Sequence, residues 1–127
     1  MSLLYRSCVF VQRGSLNLFA DWRVEGRENV PAAGPLLIVA NHQSHFDPSL
    51  LSVAVPRRLK FMAKDTLFRR PVERWFLTTY GAFPLHRESP DPRAFRWALD
   101  HLAGGGTLVV FPEGTRSDSD EMGEFQN

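Results

Sequence analysis

Leu36-Leu37-Ile38-Val39-Ala40-Asn41-His42-Gln43-Ser44-His45-Phe46-Asp47 runs from an apolar block straight into a polar, titratable one. Residues 36–40 read as a buried strand. The run that follows, Pro48-Ser49-Leu50-Leu51-Ser52-Val53-Ala54-Val55, reads as a short helix. Titratable side chains are thus offered where a strand ends and a helix begins, which is where open α/β sheets tend to hold ligands. His42 and Asp47 have four residues between them. If the chain turns there, the carboxylate can fold back to one ring nitrogen and leave the other facing the cleft as a general base. Taken alone, these residues leave other readings open. Asp before Pro at a helix start is an ordinary N-cap. His42 can be a structural histidine, and His45 stands nearer to Asp47 in sequence. Ser44 lacks the Gly-x-Ser-x-Gly setting of an exposed nucleophile. A metal set of His42, His45 and Asp47 has no cysteine or further histidine cluster nearby to support it.

The flanking segments repeat the alternation of strand and helix. Residues 2 to about 20 carry Leu3, Leu4, Val9, Phe10, Val11, Leu16, Leu18 and Phe19 among polar residues, an amphipathic helix suited to a membrane surface or to covering one face of the domain. Trp22-Arg23-Val24-Glu25-Gly26 alternates and reads as a strand. Residues 29–35 read as a loop, and Leu59-Lys60-Phe61-Met62-Ala63 as another strand. Asp65-Thr66 is placed to cap a helix over about 66–79. Residues 81–85 read as a short strand after a glycine stop. Asp91-Pro92 opens a further helix with Ala94, Phe95, Ala98, Leu99 and Leu102 on its apolar face, and Gly104–Gly106 ends it. Thr107-Leu108-Val109-Val110-Phe111 is the clearest strand, followed by a polar loop, Pro112 to Ser117, and an acidic tail. The pattern implies an α/β domain with a mainly parallel sheet flanked by helices. If the strands at 36–40 and 107–111 are parallel, their following loops leave the same edge, and His42 and Asp47 meet Glu113 and Arg116.

Composition narrows the function. The chain has 127 residues, enough for one domain with a real core. A formal net charge of +1 argues against bulk nucleic-acid binding. A single cysteine, Cys8, rules out an internal disulfide and lies in an apolar run that favours a packed thiol. Arg6, Arg13 and Asp21 interrupt the N-terminal apolar residues, so neither a membrane span nor a signal peptide is expected. The expected location is the cytosol or the cytosolic face of a membrane. Between residues 57 and 76, Arg57, Arg58, Lys60, Lys64, Arg69, Arg70 and Arg74 interleave with Phe61, Met62, Leu67, Phe68, Trp75 and Phe76. That mixture suits an anionic membrane or a basic helix with its apolar face in the core. Arg87 and Arg116 offer planar cations suited to a phosphate, and Gly114 lets backbone approach a ligand. His86 and His101 have no carboxylate placed as suggestively as Asp47 is to His42.

Together these segments resemble the glycerophospholipid acyltransferase family, which includes the 1-acylglycerol-3-phosphate acyltransferases. Asn41 to Asp47 matches its first block, His-x4-Asp. Gly81-Ala82-Phe83-Pro84-Leu85-His86-Arg87 matches its second block at the glycine and the arginine. Phe111-Pro112-Glu113-Gly114-Thr115-Arg116-Ser117 matches its third at every position. Val24 to Asn29 resembles the lead-in. Pro84 and His86 depart from the usual second block, and the chain stops before the family's fourth. The resemblance covers roughly residues 20 to 117, so the chain divides into the N-terminal amphipathic helix, over 1–20, and what the resemblance implies is a partial, C-terminally truncated acyltransferase domain over 21–127. It implies transfer of a fatty acyl group from acyl-CoA or acyl carrier protein to a lysophospholipid hydroxyl in phospholipid biosynthesis, at the cytoplasmic face of a membrane. His42 and Asp47 would be catalytic. Arg87, Glu113, Gly114, Thr115 and Arg116 would bind substrate, with no metal and no redox cofactor. The alternative is a non-catalytic lipid-binding module of the same fold.

Overall fold

The structure is a computed structural model that describes residues 3–86 and 91–112. Four strands, β1 (Leu36–Val39), β2 (Leu59–Lys64), β3 (Ala82–Leu85) and β4 (Thr107–Val110), form one sheet in the order β1-β4-β2-β3. Every pairing is parallel. Among the described residues four α-helices accompany them: α1 (Leu3–Phe19), α2 (Asp47–Ala54), α3 (Pro71–Thr79) and α4 (Pro92–Ala103). The α/β expectation with a parallel sheet holds. Leu59, Phe61 and Val109 on the two central strands are fully buried, and Ile38, Leu51, Val55, Ala82 and Phe111 pack on them.

The register positions the site. Val39 is level with Val110, and the Ala40 amide continues the ladder to the Val110 carbonyl at 3.1 Å. The segments after β1 and β4 therefore leave the same edge of the sheet. Gly81 turns the chain into β3 at φ 85°, and a Cβ there would meet the Leu59 carbonyl oxygen at 2.8 Å. The glycine of the second block is thus needed both for its dihedral and for close strand approach. Asp91 caps α4 as expected, accepting from the Arg93 and Ala94 amides at 3.1 and 3.3 Å.

Four expectations change. Residues 22–26 form no strand. Their alternation survives as alternate half-burial and exposure, without a ladder partner among the described residues. The helix expected over 66–79 is broken. A 3-10 turn covers Asp65–Phe68, and Pro71, which has no N–H to donate, starts α3 instead. β1 is half-buried and not enclosed. It lies at the sheet edge, with Leu37 and Val39 about half exposed. On α4 only Ala94 and Ala98 of the apolar stripe are buried, while Phe95 and Leu99 are exposed.

Candidate active site

The chain leaving β1 makes a tight polar loop before α2. Within it His42 Nδ1 donates to Asp47 Oδ2 at 2.9 Å. The same oxygen accepts the Gln43 amide at 2.7 Å and the Ser44 amide at 2.8 Å. The Asp47 amide in turn donates to the Ser44 carbonyl at 3.1 Å, which closes the turn. The N-cap reading of Asp47 is overturned: it is the first residue of α2, Phe46 is the capping position, and no side chain caps the helix. The carboxylate points back along the loop because three donors converge there. Burial works to raise its pKa, but the Ser44 amide, His42 and the Gln43 amide outweigh burial and hold it below the ordinary carboxylate value. An ionised carboxylate only accepts, so the shared proton sits on His42 Nδ1 and Nε2 is the ring's other nitrogen.

His42 is held from a second side. Its ring stacks on Phe111 after β4, with centroids 4.4 Å apart and planes 26° apart. Phe111 stacks in turn near the buried Phe61, 6.4 Å away. His42 opens onto a cavity of about 300 Å³ walled largely by Phe61, Met62, Leu67, Phe76 and Phe111. The arrangement is a carboxylate-oriented imidazole lining a largely apolar cavity. Asp47 pairs with His42 and not with the exposed His45. Among the described residues no three His, Cys, Asp or Glu side chains converge as a metal set.

Arg87, Glu113, Gly114, Thr115 and Arg116 lie outside the described residues. Phe111 and Pro112, the first two residues of the third block, leave β4 at the sheet edge where the His42 loop leaves β1, and the Phe111 ring stacks on His42. The basic run splits in two. Arg57 is tied to the carbonyls of Pro31, Gly34 and Gly105 at 3.1, 2.6 and 2.9 Å, and Arg58 lies 5.6 Å over the Tyr5 ring. Arg69, Arg70 and Arg74 are exposed, beside exposed Val72 and Trp75 on α3.

One pair escaped the sequence reading. His86 Nδ1 meets Asp65 Oδ2 at 2.9 Å, and both side chains are well exposed. His86 does have a carboxylate partner, 21 residues away in sequence. The pairing of Lys64 with Leu85 brings the two together, and no local spacing signals it. The His86 bond, against some burial and with help from the Thr66 amide, holds Asp65 below the ordinary value.

With a parallel α/β sheet and a His-x4-Asp loop after its first strand, the chain belongs to the acyltransferase family, whose model matches residues 21–127. It is similar to the 1-acyl-sn-glycerol-3-phosphate acyltransferase of Bacillus subtilis, 31% identical over 92% of this chain and 59% of that protein. A lyso-ornithine lipid O-acyltransferase of Pseudomonas aeruginosa is 34% identical over 72% of this chain and 35% of its own length. The solved 1-acyl-sn-glycerophosphate acyltransferase PlsC of Thermotoga maritima superposes with a TM-score of 0.76 at 35% identity, covering 96% of this chain and 49% of that one. The chain thus spans about half the length of that solved structure and 59% of the Bacillus protein.

Proposed function

We propose that this chain carries the chemical centre of a lysophospholipid acyltransferase, with His42 as general base and Asp47 as its orienting partner. The observation that carries the reading is the His42–Asp47 bond of 2.9 Å, with His42 lining a largely apolar cavity. A free hydroxyl is a weak nucleophile. His42 Nε2 takes the acceptor's hydroxyl proton as its oxygen attacks the thioester carbonyl carbon. Asp47 fixes the Nδ1–H tautomer and stabilises the imidazolium. The tetrahedral intermediate collapses with cleavage of the C–S bond, and the thiolate leaves with the proton from His42. An ester and a free thiol result. The apolar cavity suits the acyl chain.

The acceptor of first choice is 1-acylglycerol-3-phosphate, the substrate in the names of the Bacillus and Thermotoga relatives. The donor is acyl-CoA or acyl carrier protein. Arg87 and Arg116 would hold the phosphate by charge-assisted bonds, Glu113 would orient an arginine or a glycerol hydroxyl, and Gly114 and Thr115 would bring backbone to the ligand. The site would work at the cytoplasmic face of a membrane, where α1 and Arg69, Arg70 and Arg74 meet anionic lipid.

The test is acyl transfer from a radiolabelled acyl thioester to lysophosphatidic acid. His42→Ala should lower turnover by about 10²–10⁴-fold with lysolipid affinity nearly intact. Arg116→Ala should instead weaken acceptor affinity by about 1.5–3 kcal/mol, the scale of a hydrogen bond to a charged group. Lysolipid binding without turnover in the wild type would establish the binding module instead. Loss of turnover in His45→Ala, with His42→Ala unaffected, would overturn the assignment.

A further inference from the structure

The first helix reaches the loop of the His–Asp pair through one continuous line of hydrogen bonds. α1 docks through Tyr5, Cys8, Val9, Gln12 and Leu16, of which Tyr5 is buried and the others half-buried. Gln12 is placed between two buried hydroxyls. Tyr80 OH donates to Gln12 Oε1 at 2.9 Å, and Gln12 Nε2 donates to Ser49 Oγ at 2.8 Å. Ser49 Oγ donates onward to the Phe46 carbonyl at 2.8 Å. Tyr80 is 6% exposed and Ser49 1%. Burial raises the Tyr80 pKa, so the phenol is neutral and has one proton to give.

The direction of the line follows from donor inventory. Ser49 spends its proton on Phe46, so it can only accept from the carboxamide, whose oxygen is left for Tyr80. Each member is satisfied, and in a buried network a satisfied line is stiff. The line ends on the peptide between Phe46 and Asp47. The N–H of that peptide bonds to Ser44, and the Asp47 side chain just beyond it must place one oxygen to receive three donors. A serine bonding back along its own helix is an ordinary local contact. A glutamine from a helix 37 residues earlier in sequence, fixing that serine's acceptor role, is not.

We propose that Gln12 is a positioning residue for the His42–Asp47 pair, acting through Ser49 and the Phe46 carbonyl, so that α1 is part of the catalytic scaffold. Its kinetic consequence rests on the acyl-transfer reading above. Its geometric consequence does not.

The full chain is compared as wild type, Gln12→Met, Ser49→Ala and the double variant. Methionine keeps length and packing while removing both bonds, and Ser49→Ala removes a single oxygen if the α1 variant folds poorly. The Asp47 carboxyl is followed by ¹³C NMR titration, and turnover and KM are measured with lysophosphatidic acid and acyl-CoA. Each single variant should move the Asp47 titration up toward the ordinary value, and the double should move it no further. Turnover should drop by about tenfold with KM changed less than about twofold, as expected for misplacement of a catalytic group. Asn17→Ala, which removes an exposed bond from the same helix to Trp22, should change neither. An unmoved Asp47 titration with only a lower melting temperature would overturn the proposal and leave Gln12 a plain structural tie. A moved titration in a chain that transfers no acyl group would keep the positioning role and refute the acyltransferase reading.

Discussion

The pairing of His42 with Asp47 was legible at the level of single residues because it is local. Both partners sit within one turn of chain, and their contact needs only that the strand end and the helix begin. The competing N-cap role fails for an equally local reason, since three donors lie behind Asp47 and draw its carboxylate away from α2. His86 and Asp65 were not legible, because their contact depends on the register of two separate strands. The Asp47 environment makes a prediction about acid. Its folded-state pKa lies below the ordinary value, so it contributes stability that is complete above that value and is lost as pH falls through the folded one. Thermal melts from neutral pH downward should therefore show a shallower acid limb for Asp47→Asn than for wild type. Asp65 and Asp91 are also depressed, but they contribute to both proteins and cancel in the difference. Parallel acid limbs would mean that the Asp47 bonds do not favour the charged form.

Sequence reading succeeded for elements bounded by their own chemistry. Asp91-Pro92 starts α4 and Gly104–Gly106 ends it, as capping and backbone freedom require. It failed where alternation or apolarity had more than one cause. Trp22 to Gly26 alternates in burial without a neighbouring strand among the described residues, and β1 is apolar although its outer face is half open. It also overran Pro71, a breaker inside an apparently continuous helical pattern. Gly81 carries the sharpest prediction at this scale. Gly81→Ala forces a β-carbon into the left-handed region and against the Leu59 carbonyl, which is backbone and cannot step aside. Stability should drop by about 1–3 kcal/mol, read as a lower midpoint in urea. Gly34, at φ 86° with open space around it, is the comparison: Gly34→Ala bears the dihedral strain alone and should cost less. An equal loss at both would remove close strand approach as the reason for glycine at 81.

Across the whole molecule, apolar side chains are exposed in a pattern that no single element explains. α1 exposes Leu3, Phe10, Val11, Leu18 and Phe19, and α3 exposes Val72 and Trp75. The two helices share a groove of about 710 Å³ walled by Val11, Leu16, Trp75 and Phe76, which joins exposed Val11 of α1 to exposed Trp75 of α3. Arg69, Arg70 and Arg74 are exposed on and beside the same α3. Among the described residues no helix is long and apolar enough to cross a membrane. The combination fits docking onto a lipid surface, with apolar groups entering the interface and arginines meeting anionic headgroups. Binding to vesicles should then rise with the fraction of anionic lipid and fall with added salt, because the arginine contribution is screened. Replacing Arg69, Arg70 and Arg74 together by Gln should remove the salt dependence while leaving residual binding through α1. Phe10→Ser with Phe19→Ser should weaken binding to both neutral and anionic vesicles. Neither set of side chains takes part in the contacts that hold the His42–Asp47 loop, so acyl transfer to a lysolipid dispersed below its micellar concentration should survive both sets of changes. Equal binding to neutral and anionic vesicles, insensitive to salt, would mean that Arg69, Arg70 and Arg74 only solvate the surface and that docking is the work of α1 alone.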